Sequence, residues 1–137
     1  MRRSVAVIVS ILALAGLLGS SADASRRHTT YVTVDCLHLR TAPKSILFAC
    51  GDGNYYVDHL TWTRWHTWKA SGFGLFHKND CKPSCAEGTF HSARGRIWLR
   101  NPDRCGPHRY AFQHVRVLYI RKLLGHLRDA IGHFGCP

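Results

Sequence analysis

The hydrophobic pattern changes character after about residue 24. Val5 to Leu18 is an almost unbroken apolar run, interrupted by Ser10 and Gly16, whereas the later apolar residues come in short groups punctuated by turn formers. Tyr31 to Val34 alternates with threonine and predicts a first strand. Ser45 to Ala49, the turn signal Gly51-Asp52-Gly53-Asn54 and the strand-like Tyr55 to Trp62 predict a β-hairpin over 46–62. Trp62, Trp65 and Trp68 recur every three residues, close to a helical period. Their neighbours Thr61, Thr63 and Thr67 favour strands, so the segment reads as an extended strand with a bulge or bend. Ala70-x-Gly72-x-Gly74 then puts small residues on one face of a continuing strand, leaving room for a large aromatic neighbour.

Asn79, Asp80, Pro83, Ser84 and Gly88 make 78–88 a loop, and Asn101-Pro102-Asp103 makes a turn. Between them Arg96 to Arg100 alternates charged residues with Ile97 and Leu99, Trp98 breaking the pattern, and 110–120 is the longest strand candidate. Ile120, Leu123, Leu124, Leu127, Ile131 and Phe134 fall at i, i+3, i+4, i+7, i+11 and i+14, which predicts an amphipathic helix. The expected fold is mainly β: a small disulfide-stabilised β-sandwich or barrel-like domain with a C-terminal amphipathic helix packed on it.

The first apolar run changes the compartment. Arg2 and Arg3 precede it and Ala22-Asp23-Ala24 follows it, the layout of a cleavable export signal at residues 1–24 that leaves one secreted domain over 25–137. The six cysteines, Cys36, Cys50, Cys81, Cys85, Cys105 and Cys136, all lie in that domain. Structural zinc sites repeat a close Cys pair, and only Cys81-x₃-Cys85 is one, so disulfides are the stronger reading. Nearest-neighbour pairing joins Cys36 to Cys50, Cys81 to Cys85 and Cys105 to Cys136, bridges that contribute about 2–4 kcal/mol each, the shortest contributing least.

Four stretches carry a resemblance: Ile46 to Asn54 (Ile-Leu-Phe-Ala-Cys-Gly-Asp-Gly-Asn), Leu60 to Trp65, Ala70-x-Gly72-x-Gly74, and Asn79-Asp80-Cys81-x-Pro83-x-Cys85-Ala86-x-Gly88. They resemble a group of small secreted proteins of actinobacteria, over roughly residues 36–119, the last block being the most specific. The resemblance implies an exported, disulfide-containing protein and no particular activity.

Candidate chemistry is thin. The acids are Asp35, Asp52, Asp58, Asp80, Asp103, Asp129 and Glu87 beyond the signal, and general acid and base catalysis needs two titrating groups at one substrate. Asp58 and His59 are adjacent and on a regular strand point to opposite faces; Glu87 and His91 meet only if their loop folds back. Asp52, Asn54 and Asp58 offer oxygen atoms to calcium, but Asp-Gly-Asn reads first as a plain turn. No metal site and no cofactor are expected. Trp62 and Trp65 read as core, and Trp68 is the tryptophan expected to reach solvent.

Charge is the strongest functional signal. The chain carries a formal +11, of which residues 1–24 hold only Arg2, Arg3 and Asp23. A field of that size attracts polyanions and anionic surfaces, and it equally well serves solubility. Arg94, Arg96 and Arg100 stand at even-numbered separations and so project from one side of an extended chain. Arg116, and Arg121, Lys122 and Arg128 on the polar side of the expected helix, complete the candidate anionic-ligand surface. The leading reading is a secreted, non-enzymatic binding or cell-envelope-associated module that engages anionic polymers or surfaces. The alternatives are a small nuclease-like hydrolase and a basic membrane-active toxin or inhibitor. The sequence carries no specific nucleic-acid motif, no transmembrane helix after the signal, and no sign of oligomeric state.

Overall fold

The computed structural model describes residues 28–137; the expected export signal and its cleavage before Ser25 lie outside the described residues. Eight strands follow one another: β1 (Thr30–Thr33), β2 (Leu39–Arg40), β3 (Ile46–Leu47), β4 (Tyr55–Trp65), β5 (Lys69–Asn79), β6 (Phe90–Arg104), β7 (Tyr110–Leu123) and β8 (Leu127–His133). They join in one sheet of order β2-β1-β7-β6-β5-β4-β3, with β8 also on β7. The four long strands are successive antiparallel neighbours, and β3 pairs with β4 as a hairpin partner. Tyr110 and Ala111 of β7 pair in parallel with β1, while His114 to Leu118 and Leu123 pair antiparallel with β8.

Strict alternation on β6 shows how the sequence selects this sheet. Ala93, Gly95, Ile97 and Leu99 are buried, and Arg94, Arg96 and Arg100 between them are exposed. Val57, Phe76, Val117 and Tyr119 bury on the same side from the neighbouring strands. Contacts between strands that are not neighbours fix the curvature. Trp65 on β4 donates its indole N–H to the Thr30 carbonyl on β1 at 3.0 Å and packs edge-on against Phe112 of β7. Four strand spacings of about 4.8 Å separate β4 from β1 in a flat sheet, so the sheet must curl to bring them together. The core is the inside of that curl. Trp62 and Trp65 pack against it, as does Phe48, stacked on both Tyr55 and Phe134, while Trp68 is exposed. Of the two expected architectures the sandwich is not formed: the strands make a single curled, half-barrel sheet closing on its own face.

Gly72 supplies the room expected of the small-residue strand: a Cβ there would lie 2.6 Å from the Thr61 carbonyl oxygen and 3.0 Å from Cε3 of Trp62. The expected C-terminal helix is not formed. Residues 120–123 finish β7, Leu124 (φ 52°) and Gly125 (φ 75°) turn the chain, His126 N–H returns to the Leu123 carbonyl, and β8 runs back along β7. Two successive positive φ values make a hairpin turn whose twist suits the flanking strands. The apolar residues assigned to one helical face divide between two: Leu123 is buried, whereas Ile120 and Ile131 are exposed. Arg121, Lys122 and Arg128 consequently sit on the exposed end of the β7–β8 hairpin, not on a helix.

Three disulfides hold the short segments to this frame, joining Cys36 to Cys50, Cys81 to Cys85 and Cys105 to Cys136. The first ties the β1–β2 region to the loop after β3, and the last ties the β6–β7 connection to the residues after β8.

Candidate functional site

The convex side of the sheet can be laid out from the strand register as rows of side chains crossing the strands. One row is Lys69, Arg100, His114 and His133; the next is Arg64, Ser71, Trp98, Arg116 and Ile131. The third is Thr61, Phe73, Arg96, Leu118 and Asp129. Asp58, Leu75 and Arg94 continue the pattern, with Ile120 lining the same hollow as Leu75 and Arg94, and Tyr56, His77 and Ser92 follow. Read along β6, the rows form a column of Arg100, Trp98, Arg96, Arg94 and Ser92. The Arg96 guanidinium lies 4.9 Å from the Trp98 ring centroid and 5.4 Å from that of Phe73, which holds it against aromatic surface. Beside it a shallow hollow of about 170 Å³ gathers Arg64, Lys69, Arg96 and Arg100 around Trp98.

Of the sequence-predicted cations, the fold brings Arg94, Arg96, Arg100 and Arg116 to this convex face and adds Arg64 and Lys69 from β4 and β5. Arg116 approaches Asp129 at 3.9 Å, both exposed. Arg128 alternates with Asp129 on β8 and so does not share its side, and Arg121 and Lys122 stand at the hairpin end.

The fold also assembles a hydrogen-bonded chain that sequence reasoning missed. The Ser92 hydroxyl lies 2.7 Å from Nδ1 of His77, and Nε2 of His77 lies 3.1 Å from Oδ1 of Asp58. Tyr56 stacks on the His77 ring at 4.6 Å, so the imidazole is fixed by contacts to its plane and to both nitrogens. His59, expected on the opposite face from Asp58, instead reaches the same oxygen at 2.8 Å. The cause is local: His59 has φ 50°, and the β4–β5 register shifts between Asp58 and Thr61, a bulge that returns the next side chain to the same side. Burial pushes the Asp58 carboxyl up, but the hydrogen bonds from His59 and His77 outweigh it and hold the group below its ordinary value.

Glu87 and His91 do not converge: Ser84 donates to Glu87, and His91 pairs with Asp80 at 3.0 Å. Asp52 accepts the Asn54 N–H in a turn, and among the described residues no group of three or more His, Cys, Asp or Glu side chains is placed to hold a metal ion. The Asn79-Asp-Cys block is architectural. Buried Asn79 donates to Asn54 Oδ1 and to the Cys85 carbonyl and accepts the Cys81 N–H. Gly88 closes over it, where a Cβ would meet the Asn79 side chain at 2.1 Å. Among the described residues no helix is long and apolar enough to cross a membrane. Compared with known proteins, the chain matches no protein-family model, no curated protein and no solved structure.

Proposed function

We propose that this protein is an exported, non-enzymatic module that holds anionic polymers or envelope surfaces on the convex face of its sheet. The observation that carries the reading is the column Arg100, Trp98, Arg96 and Arg94, flanked in register by Lys69, Arg64 and Arg116 and facing few acids. Arg96 is already ordered against Trp98 and Phe73, and the arginines around it present planar donors to phosphate, sulfate or carboxylate groups. Three disulfides in a small β domain accord with an oxidising, extracellular compartment. The resemblance to small secreted actinobacterial proteins belongs to the same proposal, and its most specific block here serves the Asn79 hydrogen bonds.

The test is retention on immobilised heparin over a salt series. Each cation that neutralises an anion releases counterions, so wild type should elute with a steep dependence on salt. Replacing Arg94, Arg96 and Arg100 by Gln should lower the log–log salt slope by roughly 2–3 without changing the melting temperature. No retention at low salt, or equal slopes for the two proteins, removes this face as a polyanion site.

The Ser92, His77 and Asp58 chain favours a second reading, a small secreted hydrolase, because its order is hydroxyl, imidazole, carboxylate. In that reading the Ser92 hydroxyl attacks the substrate's acyl or phosphoryl centre as His77 takes its proton, His77 gives that proton to the departing alcohol, water then cleaves the Ser92 ester, and Asp58 holds the ring. Turnover of RNA or of an activated ester that is lost in Ser92→Ala and His77→Gln would establish it; absence of turnover leaves the chain as a brace on the convex face.

A further inference from the structure

We propose that the anionic surface is a lipid bilayer, on which the convex face docks with Phe73, Leu118, Ile120 and Ile131 entering the headgroup region while the arginines between them meet lipid phosphates. The proposal rests on the reading of this face as an anion-binding surface and names its occupant.

Exposure and register carry it together. Phe73 is 44 % exposed, Leu118 44 %, Ile120 64 % and Ile131 71 %. These are not scattered apolar residues: Phe73 and Leu118 are the two cross-strand neighbours of Arg96, and Ile131 is the neighbour of Arg116. Ile120 shares a hollow with Leu75 and Arg94. The face is thus amphipathic at the scale of single side chains, cation beside hydrocarbon in the three central rows. A linear polyanion in water draws on the cations and gains little from Ile120 or Ile131. A bilayer surface uses both, because arginine stems lie along acyl chains while their heads stay at the phosphates, and apolar side chains enter the interface to about 5–10 Å.

Charge complementarity selects among the other occupants. A second copy packed face to face would set Arg64, Lys69, Arg94, Arg96, Arg100 and Arg116 against the same six residues. The acids available on the face are Asp58, already taken by His59 and His77, and Asp129, which stands near Arg116. An anionic leaflet meets the cations with a continuous sheet of counter-charge, which adds to the attraction of each Lys or Arg near its surface.

The experiment is co-sedimentation of the full exported protein with vesicles of phosphatidylcholine alone and with about 30 % phosphatidylglycerol. It is run beside heparin retention for wild type and for the double variant Ile120→Ser/Ile131→Ser. Both isoleucines are largely exposed, so the variant should melt like wild type. Wild type should bind the phosphatidylglycerol vesicles and not the neutral ones. The double variant should partition about tenfold less or weaker still, with heparin retention unchanged. Heparin retention without vesicle binding, or equal vesicle binding by the variant, overturns the bilayer as occupant and leaves the polyanion reading standing. Absence of both heparin retention and vesicle binding in wild type removes both.

Discussion

The hydroxyls of Tyr55 and Tyr119 meet at 2.6 Å although β5 and β6 lie between their strands in the sheet. Three strand spacings amount to about 14 Å, so this contact is made across the inside of the curl and reports directly on it. Burial first, and then the hydrogen bond Tyr55 donates to Tyr119, pushes the Tyr55 phenol well above its ordinary value; burial also raises Tyr119. A raised folded-state pKa gives stability that is complete below the ordinary phenol value, about 10, and is lost as pH rises beyond it. Resistance to denaturant should therefore fall above about pH 10, and a Tyr55→Phe/Tyr119→Phe variant should show a shallower decline. Tyr119→Phe alone, which leaves the Tyr55 hydroxyl without its partner, should cost about 1 kcal/mol near neutral pH. An ordinary phenolate titration of both tyrosines in the folded protein would contradict the closed contact.

Gly72 on β5 excludes a side chain for a reason visible in the packing. A methyl there would lie 2.6 Å from a backbone oxygen, and backbone does not move aside as a flexible side chain does. Gly72→Ala should destabilise by about 1–3 kcal/mol through overpacking beneath Trp62. Gly51→Ala, whose Cβ would meet nothing within 4 Å, is the matched control and should change melting little. Equal effects in the two variants would mean that Trp62 is not seated as described.

Gly125 separates hairpin from helix by the sign of one substitution. Its φ of 75° favours glycine, so Gly125→Ala should destabilise by about 1 kcal/mol in the observed turn. The same change inside a helix over 120–134 would stabilise by about 1 kcal/mol. Thermal melts of the two proteins decide it.

That turn also shows where the sequence misleads. The apolar spacing i, i+3, i+4, i+7 arises here from two antiparallel strands and the turn between them, and the alternation Val115, Val117, Tyr119 that continues toward Leu123 was the better guide. Alternation was informative wherever it was unbroken. Arg94, Arg96 and Arg100 could be assigned to one side of a strand because Ala93, Gly95, Ile97 and Leu99 intervene, and Trp62 and Trp65 could be assigned to the core from their size. Cross-strand neighbours were not legible. Ser92 meets His77 across 15 residues and His77 meets Asp58 across 19, and both contacts depend on register. The pairing of Phe73 and Leu118 with Arg96 depends on it too. His59 was misplaced for a narrower reason, since a bulge reverses the side of every residue after it and leaves no mark in the period before it.

Asp80 supplies the most direct pH test of the loop between β5 and β6. One carboxylate oxygen accepts the N–H of Thr89 at 3.0 Å and of Lys82 at 3.2 Å, and the other pairs with His91 at 3.0 Å. The Thr89 hydrogen bond first, with help from His91 and Lys82, pulls its pKa down to about 2. A depressed carboxylate gives stability that is present above the ordinary value and lost as pH falls through the folded one, so this contribution should persist at pH 4 and disappear toward pH 2. The Cys81–Cys85 bridge keeps the loop closed meanwhile, which confines the change to the hydrogen bonds. An NMR titration of the Asp80 carboxyl and the Thr89 amide should give one shared midpoint near 2, and Asp80→Asn should remove the transition at Thr89. A midpoint near the ordinary aspartate value, about 4, would show that the carboxylate is solvated and that Thr89 is held by other means.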